Sequence, residues 1–134
     1  MLVRYLSGWF LLMLIAIVNG AVREATYGRS VTDLAAHQIS TATGILSIGA
    51  AAWLLGRIWP IRYASQAFAI GGLWLAMTVA FEFGFGRYVA GHSWTRLLAD
   101  YNLLEGRVWP VFLLWIAVVP YLCHRLSGLE RAGR

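Results

Sequence analysis

The sequence predicts an all-α membrane protein: four transmembrane helices in an up-down bundle, with a short interfacial helix between helices three and four. Three observations lead there. Of 134 residues, 60% are hydrophobic and 13% are charged, and mean hydropathy is +0.65, far from a soluble domain's balance. Four apolar stretches, at about 5–22, 34–55, 65–85 and 108–122, have the helical length needed to cross ~30 Å of hydrocarbon. Five of the six acidic residues, Glu24, Asp33, Glu82, Asp100 and Glu105, fall in or beside the first and third connections. Little chain is left over, so residues 1–134 are expected to form a single four-helix transmembrane domain.

The first span opens with Arg4 ahead of an apolar run, as a signal peptide does. The run is longer than usual, and Asn19-Gly20-Ala21 lacks small residues at both cleavage-determining positions, so an uncleaved helix is expected. It ends on a polar group, Asn19, Arg23 and Glu24. The second span carries small residues at Ala36, Ser40, Gly44, Ser47 and Ala51, and the third at Gly72, Ala76, Ala80 and Gly84. Such spacing lets helices approach closely where lipid supplies no hydrophobic drive. Both stripes are therefore expected to pack against neighbouring helices.

A second face of the third span holds Gly71, Thr78 and Glu82. A carboxylate about one turn inside the span costs free energy unless it meets a cavity, water or a cation. Arg23, Arg87 and Arg107 are the candidate partners. His37 lies one turn into the second span beside Gln38, with Thr41 one turn deeper. Imidazole titrates near neutral pH, which suits proton exchange or ligand binding. A hydrogen bond to Glu24 or Glu82 that only ties helix ends together is the plainer reading.

In the third connection, Trp94, Leu97, Leu98, Tyr101 and Leu104 recur at helical spacing, while Arg96, Asp100 and Glu105 occupy other faces. Ser93 is placed to cap a helix, and Gly84, Gly86 and Gly91 permit a chain reversal before it. A helix over most of 93–104 is expected in the membrane interface, either a lid built on Trp94, Arg96 and Asp100 or a surface anchor. The repeated segments 56–60 and 106–110, each Gly-Arg-x-Trp-Pro, suit the membrane interface. Pro110 suits a helix's first turn, and Pro120 is expected to kink or end the fourth helix.

Six arginines (Arg4, Arg57, Arg62, Arg125, Arg131 and Arg134) fall with the termini and second connection, and five on the other side. The acid-free connection around Arg57 and Arg62, together with Arg4 before the first helix, favours cytoplasmic termini by the positive-inside rule. The polar groups would then face outward from a bacterial inner membrane. The net charge of +5 reflects arginines flanking spans, so nucleic acid is not an expected partner. The expected partners are the bilayer and either further copies of the chain or a larger membrane complex.

Known chemical signatures are few. Cys123 is alone, which excludes an intrachain disulfide or a cysteine-based metal centre. His37, His92, Glu24 and Glu82 lack the close ligand spacing of a metal site, and His37 and His124 lie at opposite faces, which argues against haem. No cofactor is expected, and no nucleophile, phosphate-loop or dinucleotide motif is present. Phe81-Glu82-Phe83, Gly86, Val89, Gly91, Ser93-Trp94, Leu97-Leu98, Asp100-Tyr101-Asn102 and Gly106-Arg107 together resemble a pattern of uncharacterised small bacterial four-helix integral membrane proteins. Arg23-Glu24 and His37-Gln38 are similar to that group as well. The resemblance implies the same topology and implies no reaction.

The leading functional expectation is an outward-facing polar vestibule that binds or passes a small polar solute, ion or proton. Glu82 and His37 would be its central groups, with Asn19, Arg23, Glu24, Gln38, Arg87 and Arg107 around them. An accessory or assembly subunit of a larger membrane complex is the alternative. An intramembrane lipid-acting enzyme, with Glu82 and His37 as acid and base, is a third.

Overall fold

The structure, a computed structural model, describes residues 2–99 and 109–133. The described residues are all-helical: α1 (Leu2–Ala25), α2 (Asp33–Ile58), α3 (Ala64–Tyr88), α4 (Trp94–Ala99) and α5 (Trp109–Ala132). Four of these helices are long and apolar enough to cross a membrane. At 24 to 26 residues each, they run to about 36–39 Å, longer than the hydrocarbon layer.

Local chemistry sets the helix ends. A 3-10 turn at Tyr27–Arg29 follows α1. Thr32 then caps α2, its hydroxyl accepting from the Ala35 amide at 3.1 Å, with Asp33 in the positive first turn. Trp59 closes α2, and Pro60 behind it disfavours a further helical residue. After α3, Gly91 takes a φ of 72° and turns the chain toward α4. The expected Ser93 cap is present, its hydroxyl accepting from the Arg96 amide at 3.2 Å. The expected interfacial helix is described only as α4, since residues 100–108 lie outside the described residues.

α5 continues through the buried Pro120 to Ala132, so of the two outcomes expected at this proline the early end does not occur. Proline removes one backbone bond, which a long membrane helix packed on its neighbours tolerates.

α1 packs on α2 and α3, and α5 packs on the same two, so α2 and α3 sit diagonally across the bundle. Hydrogen bonds pin the helices in register. Trp74 Nε1 donates to the Tyr5 carbonyl at 2.8 Å, and Tyr5 Oη donates to the Trp59 carbonyl at 2.6 Å. Trp115 Nε1 donates to the Ile45 carbonyl at 3.0 Å, and a ring nitrogen of His124 lies 2.8 Å from the Ile61 carbonyl. The indole N–H groups of Trp74 and Trp115 thus each find a backbone carbonyl on a neighbouring helix.

The two small-residue stripes behave differently. On α2, Ala36, Ser40, Gly44 and Ala51 are buried while Ser47 is exposed, and a side chain at Gly44 would press on Asn19 and Phe112. On α3, Gly72, Ala76 and Ala80 are exposed, and open space surrounds Gly72 and Gly84. The expectation that both stripes mediate packing therefore holds for the α2 stripe apart from Ser47, and fails for that of α3. The close approach of α3 is made instead by Gly71, which lies against the Ala117 backbone of α5 with no room for a methyl group.

Candidate functional site

Where α1 and α3 finish and α2 begins, the helices part around a cavity of about 390 Å³. Its polar wall is built from Asn19 and Arg23 of α1, His37, Ser40 and Thr41 of α2, and Glu82 of α3, with His92 from the following turn. Its apolar wall comes from Leu12, Met13, Ile48, Phe112 and Ile116. Leu97 of α4 seals one side and packs on Gly86. The volume falls in the usual range of small-ligand sites, roughly 300–1,000 Å³.

Ser40 organises the polar end. It is 5% exposed, and its hydroxyl accepts from Asn19 Nδ2 and Arg23 Nη1, each at 3.1 Å. Asn19 Nδ2 also donates to the Ser40 carbonyl at 2.7 Å, and Asn19 Oδ1 accepts from the Thr43 hydroxyl at 2.8 Å. Arg23 Nε pairs with Glu24 at 3.2 Å. A short residue at position 40 lets α1 approach α2 and simultaneously leaves a hydroxyl for two donors. Sequence spacing marked Ser40 only as a packing residue, because its partners are set by helix register.

Across the described residues, Asn19, Arg23, His37 and Glu82 converge on the cavity. Glu24 is outside the lining, exposed and bound to Arg23. His37 Nε2 lies 3.7 Å from Asp33, one turn earlier on the same helix. Gln38 is exposed and outside the lining. Arg87 stacks its guanidinium 5.7 Å from the Trp94 ring centroid, and Trp94 also lies against Phe83 and Tyr88. Glu82 is half-buried and engaged within the fold. Arg107 and Asp100 lie outside the described residues. Arg96 is exposed, so it is Leu97 that α4 contributes to the wall.

The far end of the cavity is closed. Trp9 Nε1 donates to the Thr78 hydroxyl at 3.0 Å, and Thr78 in turn donates to the Trp74 carbonyl at 2.7 Å. Beyond them the bundle is filled by Tyr5, Ala67, Ile70 and Trp74, none more than 1% exposed. The sequence had placed Thr78 and Glu82 on one face without revealing that Trp9 spends the Thr78 hydroxyl. No group of three His, Cys, Asp or Glu side chains among the described residues has metal-binding geometry.

No family model, curated protein or solved structure matches this chain. The functional reading therefore rests on the cavity itself.

Proposed function

We propose that the protein is a binding protein of the bacterial inner membrane, whose outward-facing cavity holds a small ligand between Arg23, His37 and Glu82. The observation that carries this reading is the combination of a polar mouth with a solid floor. A conduit needs polar or hydrated groups along its length. Here the hydrogen-bonding groups at the floor are already paired, and tightly packed apolar residues lie behind them. Binding is thus favoured over passage.

In this reading the chain is one domain, an up-down bundle with both termini in the cytoplasm. Supporting contacts run in opposite senses along α1 and α2, with Tyr5 near Trp59 and Asn19 near Ser40. α4 lies in the outer interface, where the Arg87–Trp94 stack suits the boundary between lipid and water. A second reading, a homo-oligomer or a subunit of a larger complex, is favoured by one observation. The small-residue stripe of α3 faces outward, where another helix would have close access.

Thermal unfolding of the purified chain against a panel of small anions, cations and zwitterions tests the binding reading. A ligand that binds only the folded state raises Tm by mass action. At least one compound should stabilise the wild type and not Ala16→Phe, which fills the cavity. A panel with no such compound, combined with ion or proton flux above that of empty vesicles, would favour passage instead.

A further inference from the structure

The walls of the cavity change character along its length, and that gradient identifies a ligand class. At the mouth, Arg23 spends Nε on Glu24 and Nη1 on Ser40. A guanidinium carries five N–H donors, so among the described residues its outer edge remains available. His37 and His92 line the same end. Deeper in, Leu12, Met13, Ile48, Phe112 and Ile116 offer no side-chain hydrogen-bonding group. Trp9 and Thr78 have committed theirs to each other and to the backbone. From Arg23 to Trp9 this wall follows α1 for about 20 Å.

A wholly polar solute would leave its own groups unsatisfied at depth, and a wholly apolar one would leave the guanidinium edge unused. We infer that the cavity takes a single-chain amphiphile with a carboxylate head, the head on Arg23 and the chain directed toward Ile116. The planar fork of arginine matches a carboxylate with two parallel hydrogen bonds. Glu24 occupies only the Nε side of that fork, and Glu82 has its own engagement within the protein. This inference rests on the reading of the cavity as a binding site and adds the chemistry of its guest.

The histidines supply the test. His37 and His92 line the cavity, whereas His124 packs on the Ile61 carbonyl outside it. The full chain in nanodiscs, with isotopically labelled imidazoles, is titrated with acetate and with hexanoate. Hexanoate should shift the His37 and His92 signals saturably and leave His124 unmoved. It should bind roughly two-hundredfold tighter than acetate, since each of four added methylenes is worth about a factor of four on burial. Ala16→Phe should abolish that preference, with Ala16→Leu as the milder substitute if helical content falls. Equal affinity for acetate and hexanoate would overturn the amphiphile while leaving a binding site for a small solute. A chain preference that survives the filling variants would also overturn it, placing the chain elsewhere. Absence of any shift at His37 and His92 with either probe would remove both the amphiphile and the anion-binding mouth.

Discussion

Arg23 Nη1 donates to the Ser40 hydroxyl at 3.1 Å, which fixes a guanidinium of α1 against α2 at the mouth of the cavity. Asn19 shares the same hydroxyl, so one buried oxygen sets the positions of two cavity-lining side chains. Ser40→Ala should therefore destabilise the bundle by about 1 kcal/mol, the usual worth of a lost hydrogen bond whose donors keep other partners. Its effect on ligand affinity should be larger than on stability, because Arg23 loses the hydrogen bond that holds it against α2. Ligand titration and thermal unfolding of the same variant separate the two.

Gly71 and Gly72 form a matched pair for the packing. Gly71→Ala would set a methyl group against the Ala117 backbone, which cannot move as a side-chain end can. A cost of roughly 1–3 kcal/mol is expected, as for other overpacked sites. Gly72→Ala, next in sequence and open to the surroundings, should be neutral or slightly stabilising. Unfolding in mixed micelles reads both.

The bond between Trp9 and Thr78 closes the cavity floor. Thr78→Val keeps the shape and removes the acceptor, leaving the buried indole N–H unsatisfied. Interhelical hydrogen bonds in membranes average about 0.6 kcal/mol and reach ~1.7, so a loss within that range is expected. Trp9→Phe combined with Thr78→Val should recover part of it, because no donor is then stranded. A double-mutant cycle measures the recovery.

Much of this architecture is legible in the sequence because lipid leaves a helix few options. Hydropathy alone located the four spans, and polar residues near span ends located the mouth through Asn19, Arg23, His37 and Glu82. The misplaced features are those that depend on which helices become neighbours. The α3 stripe through Ala76 has the same spacing as the α2 stripe through Gly44, yet α3 lies diagonal to α2 and turns Gly71 to α5 instead. Helical periodicity identifies a face without naming its partner. The same ignorance hid Ser40 as a hydrogen-bond centre and the pairing of Trp9 with Thr78. That α5 runs on past Pro120 has a different reason: the cost of a proline is set by neighbouring helices, which a local rule does not see.

Leu97 is 5% exposed and rests on Gly86 beside the cavity. Leu97→Ala should loosen α4, with faster amide exchange at Leu97 and Leu98 and a faster ligand off-rate. Trp94→Ala, whose ring packs on Phe83 and Tyr88 outside the cavity lining, should change the off-rate much less.

The central claim is a cavity open to the outside and closed below, and side-selective thiol labelling tests it most directly. In a Cys123→Ser background, Thr41→Cys places a thiol in the polar wall, and Ile70→Cys places one in the filled region beyond the floor. A membrane-impermeant reagent added to the outer face of intact cells should modify Thr41→Cys and leave Ile70→Cys untouched. Labelling of Thr41→Cys only from the cytoplasmic side, or of Ile70→Cys from the outer face, would contradict the account.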